Sequence, residues 1–523
     1  MVRPSTKVPT LLTALVALAG LLTACSTAPS STKGSSTPAS TSLSVAEVNQ
    51  PWPSLGPPPA PESPAFVVNY MNAIYGQLFE RSSGGAVEPD LATGYKYSAD
   101  GLTLTISIRS GVKFSDGTPF TAAAVAAQFQ RSLDPANDCD CLGAFSAVTS
   151  ETASGNDVIL KLSRPDYTIP QQIIAQAPDW VPSPSALATE GATAFGQKPV
   201  GAGPFKVVSN AASSELVLTR NPLYWQKGLP KLKTLTFINA SSDETAYAAL
   251  QSGSVQLVLG ITTPQILSQA KSQYTEVSKP GVVVQELEFD TTKPPFNNPL
   301  AREAVAYATD PAEILKTVSP GYGVLSESPT GPGGLLNELT VPGTRTYDLA
   351  KAKSLVSQLG GLSFTFLYIT STAIYTTGAQ ALAQEWEQAG IKVTLEPEAI
   401  TTYDQYLLTR SWDMLFTAAG GVAPSVGTST ALPEKFGLTG DQTCCQDTYL
   451  NGLIGQLAAT SGQAAQTSLA HQIYSYINSK EYSIFLFALP TVAVESKSLS
   501  GVVPAPNGTA GKELVPWQTV SFS

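Results

Sequence analysis

The order of apolar and polar residues predicts strands and helices in alternation. Residues 102–108 alternate between apolar side chains and Thr or Ser, which is typical of a strand with one buried face. From Thr121, a good N-cap residue, apolar side chains recur at helical spacing and stop before Asp134. A strand followed by a helix is therefore predicted here.

The same two periods recur over most of the chain. Further strands are predicted at residues 158–162, 216–219, 232–238, 255–259, 364–369, 391–395, 414–417, 484–487 and 492–494. Further helices are predicted at residues 243–250, 300–308, 348–359, 378–389 and 469–477. The helix at 378–389 stands between two strands, which predicts a βαβ unit. The predicted fold class is α/β.

Length and composition favour a folded protein with two large lobes. The chain has 523 residues, of which 43% are hydrophobic and 13% charged, so it has enough apolar surface to fold. A single core rarely serves a chain of this length, and we therefore expect more than one.

The charged residues and the histidine content exclude several functions. A net charge of −10 without a dense basic cluster argues against nucleic acid as a partner. His471 is the only histidine in the sequence, which excludes sites that need two imidazoles. It lies between the apolar positions of a predicted helix, which favours a solvated position over catalysis. A carboxylate pair for glycoside hydrolysis stays open, because its spacing is three-dimensional.

The first residues are typical of an exported, lipid-anchored bacterial protein. Residues 1–24 carry two basic side chains, a short apolar run and no acid, which predicts a cleaved signal peptide. A transmembrane anchor would need about 20 apolar residues. The sequence LTAC before and at Cys25 resembles the lipobox of bacterial lipoproteins, in which the cysteine is acylated. Residues 25–43, rich in Ser, Thr, Pro and Ala, are predicted to form a disordered tether.

The remaining cysteines form an even set, namely Cys139, Cys141, Cys444 and Cys445. In an exported protein this favours disulfides over free thiols, but the sequence does not decide which pairs form. A bond between the adjacent Cys444 and Cys445 would close a strained small ring. A zinc site of four cysteines is the alternative, although CxC and CC lack the usual paired CxxC spacing.

Several sequence blocks resemble one known family. They are PDLA at 89–92, SADGLT at 98–103, RSGVKFSDGTPFT at 109–121, PVGAGPF at 199–205, TRNPLYW at 219–225, FNN at 296–298, REA at 302–304 and YDLAKA at 347–352. In this order they closely resemble the signature of family 5 extracellular solute-binding proteins, the peptide- and nickel-type receptors of ABC importers. Ordered blocks with family-like spacing are far more specific than one short motif.

The resemblance implies a two-lobed α/β fold of the periplasmic-binding-protein type II, large cluster, with an extra subdomain and a ligand cleft between the lobes. Lobe I would comprise residues 44–288 and 488–523, and lobe II residues 289–487. It also implies a monomer at the outer face of the bacterial cytoplasmic membrane, with an ABC permease and ATPase as partners. No enzyme activity, cofactor or metal is expected.

Two charged anchors of the family's peptide receptors are missing from this sequence. The stretch 417–427 matches the place of an aspartate that pairs with the peptide amino terminus, and it contains no acid. Residues 368–375 match the place of an arginine for the peptide carboxylate in dipeptide receptors, and they contain no arginine. Burial of an unpaired charge is costly. We therefore expect a longer, capped or cyclic peptide, or a neutral polar solute, rather than a nickel complex or haem.

Candidate ligand-binding residues follow from the same resemblance: Asn69 and Tyr70, ahead of a helix-like segment at 75–80, with Tyr368, Trp412, Gly420, Gly421 and Ser425. Core packing is the alternative role for each aromatic residue.

The sequence therefore predicts a substrate-binding lipoprotein of an ABC importer that captures an oligopeptide or a related polar solute by closure of its lobes. A ligand-binding lipoprotein for sensing and a secreted hydrolase are the alternatives.

Overall fold

The computed structural model describes residues 41–48, 52, 54–56, 64–82, 86–137, 139, 141–334, 336–370, 372–399, 402, 406, 409–419, 432, 435–437, 444–502, 505–506 and 513–523. In these ranges, no helix has the length and apolar character needed to cross a membrane.

Helices and strands are distributed over the whole described chain. The helices are α1 (Pro64–Tyr75), α2 (Ala122–Leu133), α3 (Ile169–Ile173), α4 (Pro184–Phe195), α5 (Asp243–Gln251), α6 (Pro264–Ala270), α7 (Pro299–Ala308), α8 (Pro311–Val318), α9 (Leu349–Gln358), α10 (Ala373–Gln388), α11 (Thr448–Ala459) and α12 (Gln463–Ser479). The strands are β1 (Ser42–Val48), β2 (Phe79–Arg81), β3 (Val87–Pro89), β4 (Ala92–Tyr97), β5 (Thr103–Ile108), β6 (Val148–Ser154), β7 (Asp157–Leu162), β8 (Phe205–Ala211), β9 (Glu215–Arg220), β10 (Thr234–Ala240), β11 (Leu257–Leu259), β12 (Thr275–Lys279), β13 (Val284–Phe289), β14 (Val324–Leu325), β15 (Leu362–Ile369), β16 (Ile391–Glu398), β17 (Met414–Ala419), β18 (Ser483–Ala488), β19 (Thr491–Glu495), β20 (Leu499–Ser500), β21 (Ala505–Pro506), β22 (Glu513–Leu514) and β23 (Ser521–Phe522).

The first large sheet has the strand order β12-β19-β11-β1-β10-β9-β8. Its strand β1 runs parallel to both β10 and β11. Alternate side chains of β1 point to opposite faces, as strand geometry requires. Leu43 and Val45 lie in the larger core, and Ala46 and Val48 lie in the core formed with α5 and α6. The sheet is therefore buried on both faces.

A smaller antiparallel sheet, β4-β5-β7-β6, packs against α2. Leu104 and Ile106 of β5 share a core with Phe129 of α2. The helix begins as predicted, because the Thr121 side chain accepts a hydrogen bond of 3.2 Å from the Ala124 backbone N–H. We propose that this sheet is the additional subdomain that the family resemblance implies.

The second large sheet has the order β14-β18-β13-β17-β15-β16, with β13 well inside it. Every residue of β13 is buried. Leu287 and Phe289 pack in the core that includes residues of α7, α9 and α10. Val284 packs on the other face with residues of α11 and α12. Helices therefore cover both faces of this sheet as well.

Two chain segments connect the large sheets. Residues 280–283 lead from β12 to β13, and residues 489–490 lead from β18 to β19. These crossing segments are in direct contact, since a Cβ atom at Gly281 would lie 1.8 Å from the Leu489 carbonyl oxygen. Gly331 packs just as closely, because a Cβ atom there would lie 2.5 Å from the Gly281 carbonyl oxygen. Only glycine fits at these positions without movement of the backbone.

The structure confirms the α/β class, the two-lobed architecture and the predicted βαβ unit. Strands β15 and β16 pair in parallel, with Leu362 opposite Ile391, and α10 connects them. Helix α10 begins at Ala373, five residues before the predicted start at Gly378. The glycine did not mark a helix end, because its missing side chain makes room for the Phe416 ring.

Several predicted boundaries need correction. The tether was predicted to reach residue 43, but β1 begins at Ser42, where backbone pairing with β10 orders a polar segment. The helix-like segment at 75–80 is wrong, because α1 ends at Tyr75 and residues 79–81 form β2. A lobe boundary between residues 288 and 289 would divide β13, which lies entirely in the second sheet. We propose instead that the chain passes between the lobes at residues 280–283.

Replacement of Gly281 by Ala is expected to lower the free energy of unfolding by about 1–3 kcal/mol, as overpacking does. The new methyl group would overlap a backbone oxygen, which has little freedom to move away. Urea denaturation measures the effect. Gly452→Ala in α11 is the matched control, because no atom lies within 4 Å of its added Cβ. Equal unfolding free energies for the two variants would contradict a tight crossing.

Candidate functional site

The carboxyl ends of parallel strands in both large sheets lie beside the crossing segments. In the first sheet Glu47, near the end of β1, is opposite Leu259, and Leu259 is opposite Ala493 in β19. In the second sheet Ala419, the last residue of β17, is opposite Val284, the first residue of β13. Ligands of open α/β sheets bind outside such carboxyl ends. The candidate cleft therefore lies between the sheets at this edge.

Tyr70, a predicted ligand-binding residue, lies in the core beneath the first sheet. Its side chain is 0% exposed, and its ring centroid is 4.7 Å from that of Trp52 and 4.9 Å from that of Phe237. Burial, and then the charge of Glu47, raise the pKa of the Tyr70 hydroxyl well above its ordinary value. This environment favours the packing role for Tyr70.

Asn69, its neighbour on α1, holds the last residues of the chain. Its Oδ1 accepts a hydrogen bond of 3.4 Å from the Val515 backbone N–H. Its backbone carbonyl accepts a bond of 3.1 Å from the Trp517 indole N–H. Asn69 is buried, and these contacts give it a structural role beside any role in binding.

Tyr368 and Trp412 lie on opposite faces of the second sheet. Tyr368, near the end of β15, is opposite Phe416 and packs in the core on the α10 side. Burial raises the pKa of its hydroxyl. Trp412 precedes β17 and packs against Leu367 and Leu415. It therefore lies at the end of β17 away from the cleft edge, and its position favours core packing.

The other predicted site residues lie outside the described residues. These are Gly420, Gly421 and Ser425, as well as the acylation candidate Cys25 and the signal peptide. Ala419, the last residue of β17, lies at the cleft edge, so the segment that follows it begins there.

The four described cysteines belong to two separate cores. Cys139 and Cys141 are joined by a disulfide in the first core, and Cys444 and Cys445 are buried thiols in the core beside α11 and α12. Among the described residues, no three or more His, Cys, Asp or Glu side chains are grouped to hold a metal ion. His471 is 36% exposed, with Nδ1 at 3.5 Å from Glu338 Oε1.

A buried charge cluster on β13 was missed by the sequence analysis. Lys435 Nζ donates to Glu286 Oε1 and, at 2.9 Å, to Glu288 Oε2. Ser483 Oγ donates to Glu286 Oε2 at 2.6 Å. The lysine and both glutamates are at most 1% exposed in their side chains. The sequence contained a signal, since two acids at alternate positions of a strand share a face, and buried acids need a partner there.

The cluster fixes the chain that returns from the cleft edge. Lys435 follows the segment 420–431 in the sequence, and its side chain joins this part of the chain to β13. Glu288 Oε1 is buried and has no hydrogen-bond partner among the described residues. Burial raises the pKa of Glu288 to about 7, against the opposing effect of the Lys435 charge. The pKa of Lys435 is raised by the two glutamates, so it stays protonated.

Contacts outside the crossing segments also join the two lobes. The Tyr167 backbone N–H donates to the Ala458 carbonyl oxygen of α11 at 2.8 Å. The Tyr322 hydroxyl donates to Glu276 Oε2 of β12 at 3.0 Å, and the Lys271 ammonium lies 4.7 Å from the Tyr322 ring centroid. In this structure the lobes are therefore in contact on more than one side.

Residues 86–433 match the family described as bacterial extracellular solute-binding proteins, family 5 Middle. The chain belongs to this family. Among curated relatives, the glutathione-binding protein GsiB of Salmonella typhi is 31% identical over 328 residues, which cover 62% of this chain and 63% of GsiB. The matched region is therefore less than two thirds of the length of that relative.

Solved structures share the family 5 fold. The ABC transporter substrate-binding protein CtaP of Listeria monocytogenes superposes with a TM-score of 0.79 at 20% identity, covering 92% of this chain and 99% of CtaP. The periplasmic binding protein DppA of Helicobacter pylori, in complex with the peptide STSA, gives 0.75 at 20% identity with the same coverage. At these identities the likeness shows the fold alone.

The shifted pKa of the buried residue Glu288 predicts how the stability of the protein depends on pH. This pKa is about 7 in the folded chain and ordinarily 4.5, so the folded state binds more protons between these values. This contribution is complete below pH 4.5 and is lost as the pH rises through 7. Glu288→Gln removes it, so the stability of the variant relative to the parent should rise between pH 5 and pH 8, by up to roughly 3 kcal/mol.

Urea denaturation over this pH range measures the change. Glu190→Gln on α4 is the control, because it removes an exposed carboxylate that lies outside the buried cluster. Parallel profiles for Glu288→Gln and the parent would show that Glu288 does not titrate in this range.

Proposed function

We propose that this chain is the substrate-binding lipoprotein of an ABC importer, which captures an oligopeptide or a related polar solute and delivers it to a membrane permease. The observation that supports this most is the placement of parallel-strand carboxyl ends from two sheets at one edge, beside two crossing segments. Such an edge offers backbone groups to a ligand from both sides, and tight crossings allow the lobes to rotate as units.

Binding in this proposal requires no covalent step. A ligand that contacts both lobes favours the closed arrangement by its differential affinity for that state. The contacts Tyr167–Ala458 and Tyr322–Glu276 would form on closure and add to its stability. The closed form is then the one that the permease recognises, and acylated Cys25 would hold the protein at the outer face of the membrane.

The proposed ligand has no charged terminus that needs a partner in lobe II. Residues 417–427 contain no acid and residues 368–375 contain no arginine. Lys435, the buried cation beside β17, is already paired with Glu286 and Glu288. An added buried charge would stay unpaired, at a cost of several kcal/mol. A capped, cyclic or longer peptide, or a neutral polar solute, meets this condition.

Native mass spectrometry of protein purified without unfolding tests the function directly, because a retained ligand adds a defined mass. In titrations followed by intrinsic fluorescence, a tripeptide with acetylated and amidated ends should bind at least about tenfold more tightly than the same tripeptide with free termini, since tenfold is about 1.4 kcal/mol. Tighter binding of the free form would reject the neutral ligand class but not the binding function. No retained mass and no response to any peptide or polar solute would reject the function.

The predicted second-lobe residues give a separate test. Gly420→Leu and Ser425→Phe would place bulky side chains in the segment that starts at the cleft edge, and should abolish the ligand-induced change in fluorescence. Gly143→Leu is the control, because Gly143 is exposed and its added Cβ meets no atom within 4 Å. Unchanged titrations of both site variants would remove these residues from the binding site.

A further inference from the structure

Cys444 and Cys445 are adjacent thiols held close together in a buried place. Both side chains are at most 1% exposed, and the two Sγ atoms are 3.0 Å apart. A disulfide bond is about 2.05 Å long, so a shift of about 1 Å would bring the sulfurs to bonding distance. Two thiols in contact are a reactive arrangement when an oxidant is available.

The peptide group around Cys444 is fixed on both sides. Its N–H donates to the Lys435 carbonyl oxygen at 2.8 Å, and its carbonyl oxygen accepts from the Thr291 N–H and hydroxyl, each at 3.0 Å. Lys435 in turn holds Glu286 and Glu288 of β13. Any change of conformation at Cys444 therefore reaches the chain that returns from the cleft edge.

We propose that Cys444 and Cys445 form a reversible disulfide with each other. In the oxidation step the two thiols lose two protons and two electrons, and a bond forms between their sulfurs. An external disulfide accepts the electrons by thiol–disulfide exchange and is released as two thiols. The reverse reaction consumes two external thiols and restores Cys444 and Cys445.

The setting of this chain favours oxidation. The family is extracellular, and disulfides form and persist outside the reducing cytosol. The same chain carries the Cys139–Cys141 disulfide. Outside the cytosol, the cytosolic thiol systems do not keep a pair of thiols in contact reduced, so a disulfide can form and its state follows the external thiols and disulfides.

Chain geometry makes this disulfide labile rather than permanent. Adjacent Cα atoms are about 3.8 Å apart across a trans peptide, whereas disulfides usually join Cα atoms about 4.4–6.8 Å apart. The ring that includes the intervening peptide group is therefore strained, and strained disulfides are the ones that thiols reduce readily. The pair fits a switch better than a structural brace.

Exchange in the folded protein should be slow. Burial raises the pKa of the Cys444 thiol well above its ordinary value, which disfavours the thiolate that attacks a disulfide. The bond is therefore expected to form while the chain folds, or when the structure around Cys444 and Cys445 opens locally. Low concentrations of urea should accelerate both oxidation and reduction.

The experiment equilibrates the full chain in a series of buffers with 2-mercaptoethanol and its disulfide, followed by acid quenching, alkylation of free thiols and peptide mass spectrometry. This couple is oxidising enough to form a strained disulfide, and it avoids confusion with a peptide ligand in the cleft. We expect the peptide with Cys444 and Cys445 to change from doubly alkylated to unalkylated and two hydrogen atoms lighter as the buffer becomes more oxidising. Cys444→Ser and Cys445→Ser should each remove this transition, and Cys139→Ser should leave it in place.

Reduction of the oxidised form should also restore the urea midpoint of the thiol form, because the hydrogen bonds of Cys444 with Lys435 and Thr291 are restored. A peptide that remains doubly alkylated in every buffer, even after unfolding and refolding under oxidising conditions, would overturn the proposal. So would a bond from Cys444 or Cys445 to Cys139 or Cys141, or to another molecule.

Discussion

Direct backbone contact between the crossing segments is the constraint on which the two-lobed arrangement depends. The segments at Gly281 and Leu489 pass so closely that a single methyl group does not fit between them, and Gly331 closes the same place from another side. Such a crossing has few internal degrees of freedom, because its neighbours on both sides are strands of packed sheets. In the proposed function, the lobes would rotate about this crossing as units, and the cleft edge would keep its geometry.

In lobe II, the central strand β13 must pack in the core and also accommodate charged side chains. Every residue of β13 is buried, yet two of them are glutamates on the same face. One lysine serves both acids, and burial leaves Glu288 with a pKa of about 7, so the cluster approaches neutrality when that acid binds a proton. Apolar residues in place of the three groups would pack equally well. The cluster therefore serves to hold the chain at Lys435 against β13 rather than to improve the packing of the core.

The sequence predicted those features of the fold that depend mainly on neighbouring residues. The N-cap of α2, the βαβ unit and the presence of β17, β18 and β19 follow from side-chain period and capping, which the sequence displays directly. The start of β1 could not be read, because Ser42 and Thr41 are polar and only pairing with a distant strand orders them. For the same reason the positions of Tyr70 and Trp412 needed the structure: a family block gives sequence order, whereas exposure depends on which strands lie beside it.

The contacts between the lobes divide into two kinds, and this division explains how closure can depend on a ligand. Tyr322 precedes β14, whose Val324 is opposite Ala488 at the start of a crossing segment, so its contact with Glu276 lies close to the axis of any rotation there. Tyr167 and Ala458 belong to neither large sheet, and their hydrogen bond has no such support. Rotation displaces atoms in proportion to their distance from the axis. The contact of Tyr322 with Glu276, beside the crossing, should therefore survive opening better than the contact of Tyr167 with Ala458. One such hydrogen bond contributes only about 1 kcal/mol, so in the proposed function a ligand that touches both lobes would supply the remainder of the closing free energy.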